Sequence, residues 1–438
     1  MSDERAGSPR RAGSDPRAFL PAADIPLLYF GFAHACLILA CAVLVTRPDL
    51  PGAYFFHPRM TALVHLVTLG WISGSILGAF YIVGPLALRL PLRPGRLDRI
   101  AFVSFAAGTI GMVASFWTGA YQELGWSAVL VMAAVGFVAQ RAWRGLRHAR
   151  VPWPVTLLVS LAFGNMLLAG ALGIVMAMNR VSGWLPLSPQ SGAFAHAHLA
   201  AVGWAMMMVV GLSYRLIPMI VPAAMPAGSS MAASAILLQA GLAVLVIALV
   251  SGSPWTAVGA LVIVAGLSSF VARVRWIVAH RLPPPPALPR PDWATWQTHA
   301  AFVWLLVAAA LGVLLAMPVQ TPWTVELEWL YGTLGLIGFL AQIVVGIQGR
   351  LLPMHGWYRA LEAGGMRPPA RSVHALANPL LSRLVFLTWA LGVPLLAGGL
   401  VTTSRPLVAT GSALLLAGVV LNVVQVYHVA TGANRVPP

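Results

Sequence analysis

His65–Pro85 reads HLVTLGWISGSILGAFYIVGP, and the chain spells a version of it twice more. His198–Pro218 reads HLAAVGWAMMMVVGLSYRLIP, with His, Leu, Gly, Trp, Gly, Tyr and Pro in the same register. A weaker copy, Thr333–Pro353, reads TLGLIGFLAQIVVGIQGRLLP and keeps the Leu, Gly, aromatic, Gly and Pro positions. The anchoring glycines Gly70, Gly203 and Gly338 are 133 and 135 residues apart. Apolar composition alone can imitate a repeat of Leu and Gly. It does not easily set His, Gly, Trp, Gly, Tyr and Pro in one register twice. A fixed long period of this kind marks repeated structural units.

Each copy is an apolar run long enough to cross a bilayer, and the rest of the chain matches it. Apolar residues make up 59%, charged residues 9% and mean hydropathy is +0.83; soluble domains hold about 45–50% apolar and about 25% charged residues. A crossing takes about 20 residues. Twelve runs qualify, near 25–46, 60–88, 100–121, 125–141, 153–178, 194–222, 230–251, 255–276, 297–318, 327–353, 381–402 and 406–430. The expectation is an all-α polytopic membrane protein of about twelve transmembrane helices in three pseudo-symmetric units of four. A polar tail, 1–24, precedes a single membrane domain, 25–431, with units near 25–150, 151–293 and 294–431. The tail is polar and the first run is long enough to stay as a span, so no cleavable signal is expected.

There are 27 basic against 11 acidic residues, a net charge of +16, and every basic residue is Arg. In a soluble chain this would suggest nucleic acid. Here Arg89, Arg93, Arg96 and Arg99, then Arg141, Arg144, Arg147 and Arg150, fill alternate loops. Arg273, Arg275, Arg281 and Arg290 around Pro283–Pro286, and Arg350, Arg359, Arg367, Arg371 and Arg383, continue the pattern. The opposite loops hold Arg47, Arg59, Arg180 and Arg405. Positive charge concentrates on the cytoplasmic side, so both termini are expected there, in a bacterial inner membrane. The partner is the lipid bilayer, with no nucleic acid. Cys36 and Cys41 lie inside the first run among Ala, Leu and Ile, which supports neither a disulfide framework nor a zinc site.

Three histidines carry the chemistry. His65 lies a few residues into the second run, and His196 and His198 a few residues into the sixth. Under the arginine count all three sit near the outer face. A lone membrane histidine is usually a hydrogen-bonded packing residue; three at matched depth within a repeat suggest a site. His65 and His198 hold the same repeat position. They are therefore expected to face one another as the two neutral imidazoles of a low-spin b-type haem. His196 and His198, two apart on a helix, point about 200° apart, so one helix can serve two neighbouring sites and His196 can offer a ligand to a second haem or a copper ion. Gly70, Gly74 and Gly78 form a four-spaced stripe, expected to be a helix-contact face. Tyr81, Tyr214 and the repeat prolines mark inner helix ends. His34, Asn165 and His299 are expected at matching places in the first, fifth and ninth spans. His355 lies at the cytoplasmic edge, and His57, His148, His280, His374 and His428 read as loop or interfacial residues.

The run from His196 through Gly203-Trp204, Gly211 and Tyr214 to Pro218 resembles the paired-histidine helix of haem-copper oxidase subunit I, especially the C-type and nitric oxide reductase-like branch. The His65–Pro85 run is similar to that family's second span, which supplies one axial ligand of the low-spin haem. Twelve spans in three arcs also match its architecture. The resemblance implies haem, copper and a cytochrome c or another redox partner subunit. The sequence departs from the family in three ways. The paired histidines fall in the sixth span rather than the tenth, where Thr333 stands instead. The seventh span, Met231–Ser251, holds no histidine for a copper site, and no acid lies deep within a span.

Three functions follow as expectations. The first is a divergent, oxidase-like haem protein performing electron transfer or small-gas redox chemistry, with His65, His198 and His196 as its site residues. The second is a haem- or copper-handling or nitric-oxide protection protein of the NnrS type. The third is a cofactor-free transporter, disfavoured because threefold rather than inverted repeats are unusual for carriers.

Overall fold

The structure, a computed structural model, describes residues 19–432 apart from 187, 222, 226–227, 284–287, 289 and 319–320. Most of the polar tail 1–24 and most of the Pro283–Pro286 run lie outside the described residues. Among these the fold is all-α, with twelve membrane-spanning helices. They are α1 Ile25–Thr46, α2 Pro58–Leu88, α3 Arg96–Thr118, α4 Leu124–Leu146, α5 Trp153–Ser182, α6 Pro189–Met219, α7 Met231–Ser251, α8 Thr256–Ala279, α9 Trp293–Ala316, α10 Thr324–Ala363, α11 Pro379–Val401 and α12 Arg405–Thr431. Local sequence sets several starts. Pro58 and Pro189 occupy the first turns of α2 and α6, where a missing N–H costs nothing. The Asp24, Asp292 and Asn378 side chains cap the first turns of α1, α9 and α11. The tenth span runs ten residues beyond the end expected from its apolar run, because the helix continues through Pro353 to Ala363.

The repeat is written into the backbone. Leu66–Ser73, Leu199–Met206 and Leu334–Ala341 are wide π-helical turns, each beginning one residue after His65, His198 or Thr333. Such i→i+5 turns are rare and change the face that the preceding helix presents. The three turns touch one another at the centre of the bundle. Helices α2, α6 and α10 are accordingly the most buried: 83%, 56% and 61% of their most apolar stretches lie inside, against 17–44% for the others. Within each unit the third and fourth helices form a tight hairpin, and α4 against α5, α8 against α9 and α12 against α1 join the units into a ring.

The glycine stripe is a helix-contact face. A Cβ at Gly70 would lie 2.4 Å from Cys36 Cβ; at Gly74 it would meet Ala33, and at Gly78 Tyr29, all on α1. Gly203 and Gly211 meet Asn165 and Leu158 on α5, and Gly338 and Gly346 meet Trp304 and Thr298 on α9. These contacts correct one expectation. The structural counterparts of Cys36 are Asn165 and Trp304, so those of His34 are Phe163 and Phe302. Ring contacts agree: His34–Trp71 at 5.0 Å, Phe163–Trp204 at 5.2 Å and Phe302–Phe339 at 6.3 Å. His299 is exposed beside Trp296, away from this layer. The physical reason is that helix contacts set the register: α5 matches α1 with an offset of 129 (Tyr29 to Leu158) and α9 matches it with 268 (Cys36 to Trp304), whereas pairing His34 with Asn165 and His299 needs 131 and 265.

Indole N–H groups stitch the units together. Trp204 Nε1 donates to Ser73 Oγ at 3.0 Å and Trp71 Nε1 to the Ala341 carbonyl at 3.2 Å, and residues 73 and 341 are equivalent positions of the repeat. At the arginine-rich end Tyr81 donates to Asp98 at 2.7 Å, where Arg141 also pairs, and Tyr214 bonds Ser234 at 2.8 Å. These two tyrosines tie helix ends together there. His355 Nε2 donates to the Ala22 carbonyl at 2.8 Å, holding the segment before α1.

Candidate functional site

The structure brings two of the three expected histidines together, but not the two that share a repeat position. The His65 and His196 rings face each other across α2 and α6, with centroids 6.4 Å apart and planes at 32°. Each ring is fixed by its other nitrogen. His65 Nδ1 donates to the Thr61 carbonyl at 2.8 Å, one turn back on its own helix. His196 Nδ1 donates to the Ala169 carbonyl on α5, also at 2.8 Å. A carbonyl only accepts, so both imidazoles are held with hydrogen on Nδ1 and a lone pair on Nε2. Among the described residues neither Nε2 has a hydrogen-bond partner.

The surroundings hold the rings in place. Phe116 of α3 stacks on His65 at 5.0 Å and 24°. His196 lies against Gly173 of α5, where a Cβ would come within 3.2 Å of the ring Cε1. Both histidines are only half-buried although they belong to the two central helices, so each borders open space. Phe55 and Phe56, from the α1–α2 connection, pack on Phe194 of α6 at 6.4 and 5.5 Å, and Phe55 also reaches Trp329 of α10 at 5.8 Å. This aromatic cap covers the histidine end of the central helices.

His198 faces the other way, as the two-residue spacing requires. Its Nδ1 donates to the Phe194 carbonyl at 2.7 Å, and its Nε2 accepts from the Tyr331 hydroxyl of α10 at 3.0 Å. The two rings stack at 6.1 Å and 22°. The expectation that His65 and His198 face one another is thus replaced by two separate pairs, His65–His196 and His198–Tyr331. Their relation is regular. Residues 65, 198 and 333 are equivalent, and so are 63, 196 and 331, so each pair joins the first set in one unit to the second set in the next. The remaining corner, by the same rule, is Thr333 with Leu63, both buried and neither a ligand for a soft metal. Tyr331 was missed by reading histidines alone, yet it lies 135 residues after His196, in the repeat's own period. Gly173 and the Ala169 carbonyl carry no sequence signal.

The donor set fits a metal held by two imidazoles. With metal–nitrogen bonds of about 2.0–2.1 Å, two rings across one ion have centroids about 6 Å apart, which is the spacing seen. The Nδ1–H to carbonyl bonds are the second-shell contacts that orient histidine ligands. Among the described residues no three of His, Cys, Asp and Glu converge, so a closed copper or zinc site is not assembled there. His34 is a network residue: its Nδ1 donates to the Phe30 carbonyl at 2.6 Å and its Nε2 accepts from Asn422, which also donates to Gln348 at 2.8 Å. Gln348 in turn donates to Ser75 at 3.3 Å, so α1, α12, α10 and α2 share one polar chain. No protein-family model matches the chain, and no curated protein does.

Proposed function

We propose that this is a haem-binding integral membrane protein, akin to haem-copper oxidase subunit I, in which His65 and His196 are the two axial ligands of one b-type haem. The observation that carries the reading is the pair itself: two imidazoles from different repeat units, 6.4 Å apart, with both Nε2 lone pairs unclaimed. His65 and His196 would hold the haem, which when bound would supply a reversible one-electron change. Thr61 and Ala169 hold the tautomer that leaves Nε2 able to bind. Phe116, Gly173 and the Phe55–Phe194 cap hold the rings in register and limit water. His65 and His196 would both be taken up in holding the haem, and among the described residues no three of His, Cys, Asp and Glu converge beside them, so electron transfer suits this geometry better than gas reduction. The arginine asymmetry supports a bacterial inner membrane with both termini cytoplasmic, which puts the haem near the outer face and within reach of a cytochrome c or another redox partner.

The test is a reduced-minus-oxidised spectrum of the purified protein and of three variants. His65→Ala and His196→Ala are each expected to lose the bis-imidazole bands, while His198→Ala keeps them. Unchanged bands in His65→Ala or His196→Ala would overturn the assignment. Loss only in His65→Ala and His198→Ala would restore the pairing of repeat equivalents.

A further inference from the structure

We infer that Arg89 and Arg215, at the arginine-rich ends of α2 and α6, form a binding site for a phosphate group. The repeat brings out what that corner lacks. Ile82, Arg215 and Arg350 are equivalent positions of α2, α6 and α10. The helix contacts likewise make Asp24, Trp153 and Asp292 equivalent at the starts of α1, α5 and α9, with offsets of 268 (Cys36 to Trp304) and 139 (Asn165 to Trp304). In the third unit both members are present, and Arg350 pairs with Asp292. In the first unit the acid stands without that arginine, and Asp24 pairs with Arg99 at 2.7 Å. In the second unit the arginine stands, but a tryptophan replaces its acid.

Without that acid, Arg215 reaches to the neighbouring unit. Its Nε donates to the Ala87 carbonyl in the last turn of α2 at 3.0 Å, and a terminal nitrogen donates to the Met225 thioether at 3.7 Å. The thioether is a weak acceptor, and neither partner carries charge. Arg89 follows the end of α2, exposed and in a left-handed backbone conformation (φ 54°). It is close enough to Arg215 for the like charges to repel, and its own contact is the Phe19 ring at 5.8 Å. Among the described residues no carboxylate pairs with either arginine. Arg215 is half-buried, and a guanidinium drawn out of water without a counter-ion is costly.

Two neighbouring guanidiniums without a counter-ion suit a tetrahedral anion. Their planar forks make paired, charge-assisted hydrogen bonds to phosphate oxygens, and a charge of the opposite sign between them removes the repulsion. The phosphate can come from a soluble ion or from a lipid headgroup, which basic residues at a membrane face also attract.

The experiment follows thermal unfolding of the full-length protein in neutral detergent as inorganic phosphate is added, with ionic strength held constant by chloride. A ligand of the folded state raises the midpoint once its concentration passes the dissociation constant. The parent's midpoint is expected to rise. In Arg89→Gln and in Arg215→Ile the concentration needed is expected to increase at least about tenfold, since each loses a charge-assisted contact. Isoleucine is the residue of the first unit at that position, and elution as the parental species checks folding in both variants. Arg144→Gln, at an exposed arginine of the same end, makes an equal change of charge and is expected to keep the parental response. The parent is then placed in phosphatidylcholine discs with and without phosphatidic acid. A rise with phosphatidic acid that both variants lose, and that added phosphate does not extend, would make the occupant a lipid phosphate. A rise with inorganic phosphate alone would make it a soluble ion. No rise in the parent with either probe would overturn the site. An equal rise in the parent and both variants would overturn it too, leaving only general screening of the arginine-rich face.

Discussion

A displacement of two residues separates His196 from His198, and on a helix it decides which neighbour each ring meets. His196 turns to α5 and α2, His198 to α10. The fit of His196 depends on the missing side chain at Gly173. In Gly173→Val the new Cβ would fall 3.2 Å from the ring, with two methyls beyond it. The variant is expected to fold but lose the bis-imidazole bands, whereas Gly164→Ala on the same helix, with nothing within 4 Å of its Cβ, is expected to keep them. His34 is different in kind. Its counterparts are Phe163 and Phe302, so His34→Phe keeps the ring layer and is expected to leave the haem spectrum unaltered. It also removes the acceptor of Asn422, at a cost of about 1–3 kcal/mol for a buried unsatisfied donor. Thermal unfolding of the haem-loaded protein would read that loss as a lower midpoint.

Among the elements, the π turn sets where the histidines point. An α-helix turns about 100° per residue, so the extra residue in Leu66–Ser73 rotates everything before it, His65 included, relative to the glycine stripe that fixes α2 on α1. Deleting Leu69 is expected to restore an ordinary turn and swing His65 away from His196, abolishing the proposed six-coordinate spectrum while size-exclusion chromatography still finds a folded protein. Ile337 is its equivalent in the third turn. Deleting it disturbs Tyr331 and is expected to spare the His65–His196 pair. If both deletions left the spectrum alone, the π turns would be packing devices only.

The whole molecule is a ring of three units in which one relation between neighbours is seen at two corners. Position 65 approaches position 196 of the next unit and position 198 approaches position 331, and the repeat register assigns Thr333 and Leu63 to the third corner. One corner is a complete imidazole pair, one is half complete and one is apolar. If His65 and His196 hold one haem as proposed, Tyr331→His is expected to complete a second pair and raise the haem content from one to two per chain, measured as extracted haem against protein. A ratio that stays at one would mean that the second corner lacks room for a macrocycle.

Twelve crossings, their threefold grouping and the matched register of His65 and His198 follow from the sequence by itself. Apolar run length and a repeated register of His, Gly, Trp, Tyr and Pro are one-dimensional properties, and membrane burial reads them directly. The glycine stripe was legible for the same reason, since a four-residue spacing can only face one way on a helix. The pairing of the histidines was decided by the tertiary structure alone. Repeat equivalence says which residues are alike, whereas contact between units depends on how each helix is rotated and crossed against the next. Those rotations brought position 65 to position 196 rather than 198. The fifth helix shows the same principle: it is slid against α6, its offset from α1 being 129 where that of α6 from α2 is 133, and its contacts make Phe163 rather than Asn165 the counterpart of His34. Loop length and hydropathy do not specify such a slide; the interlock of Gly203 and Gly211 with α5 does.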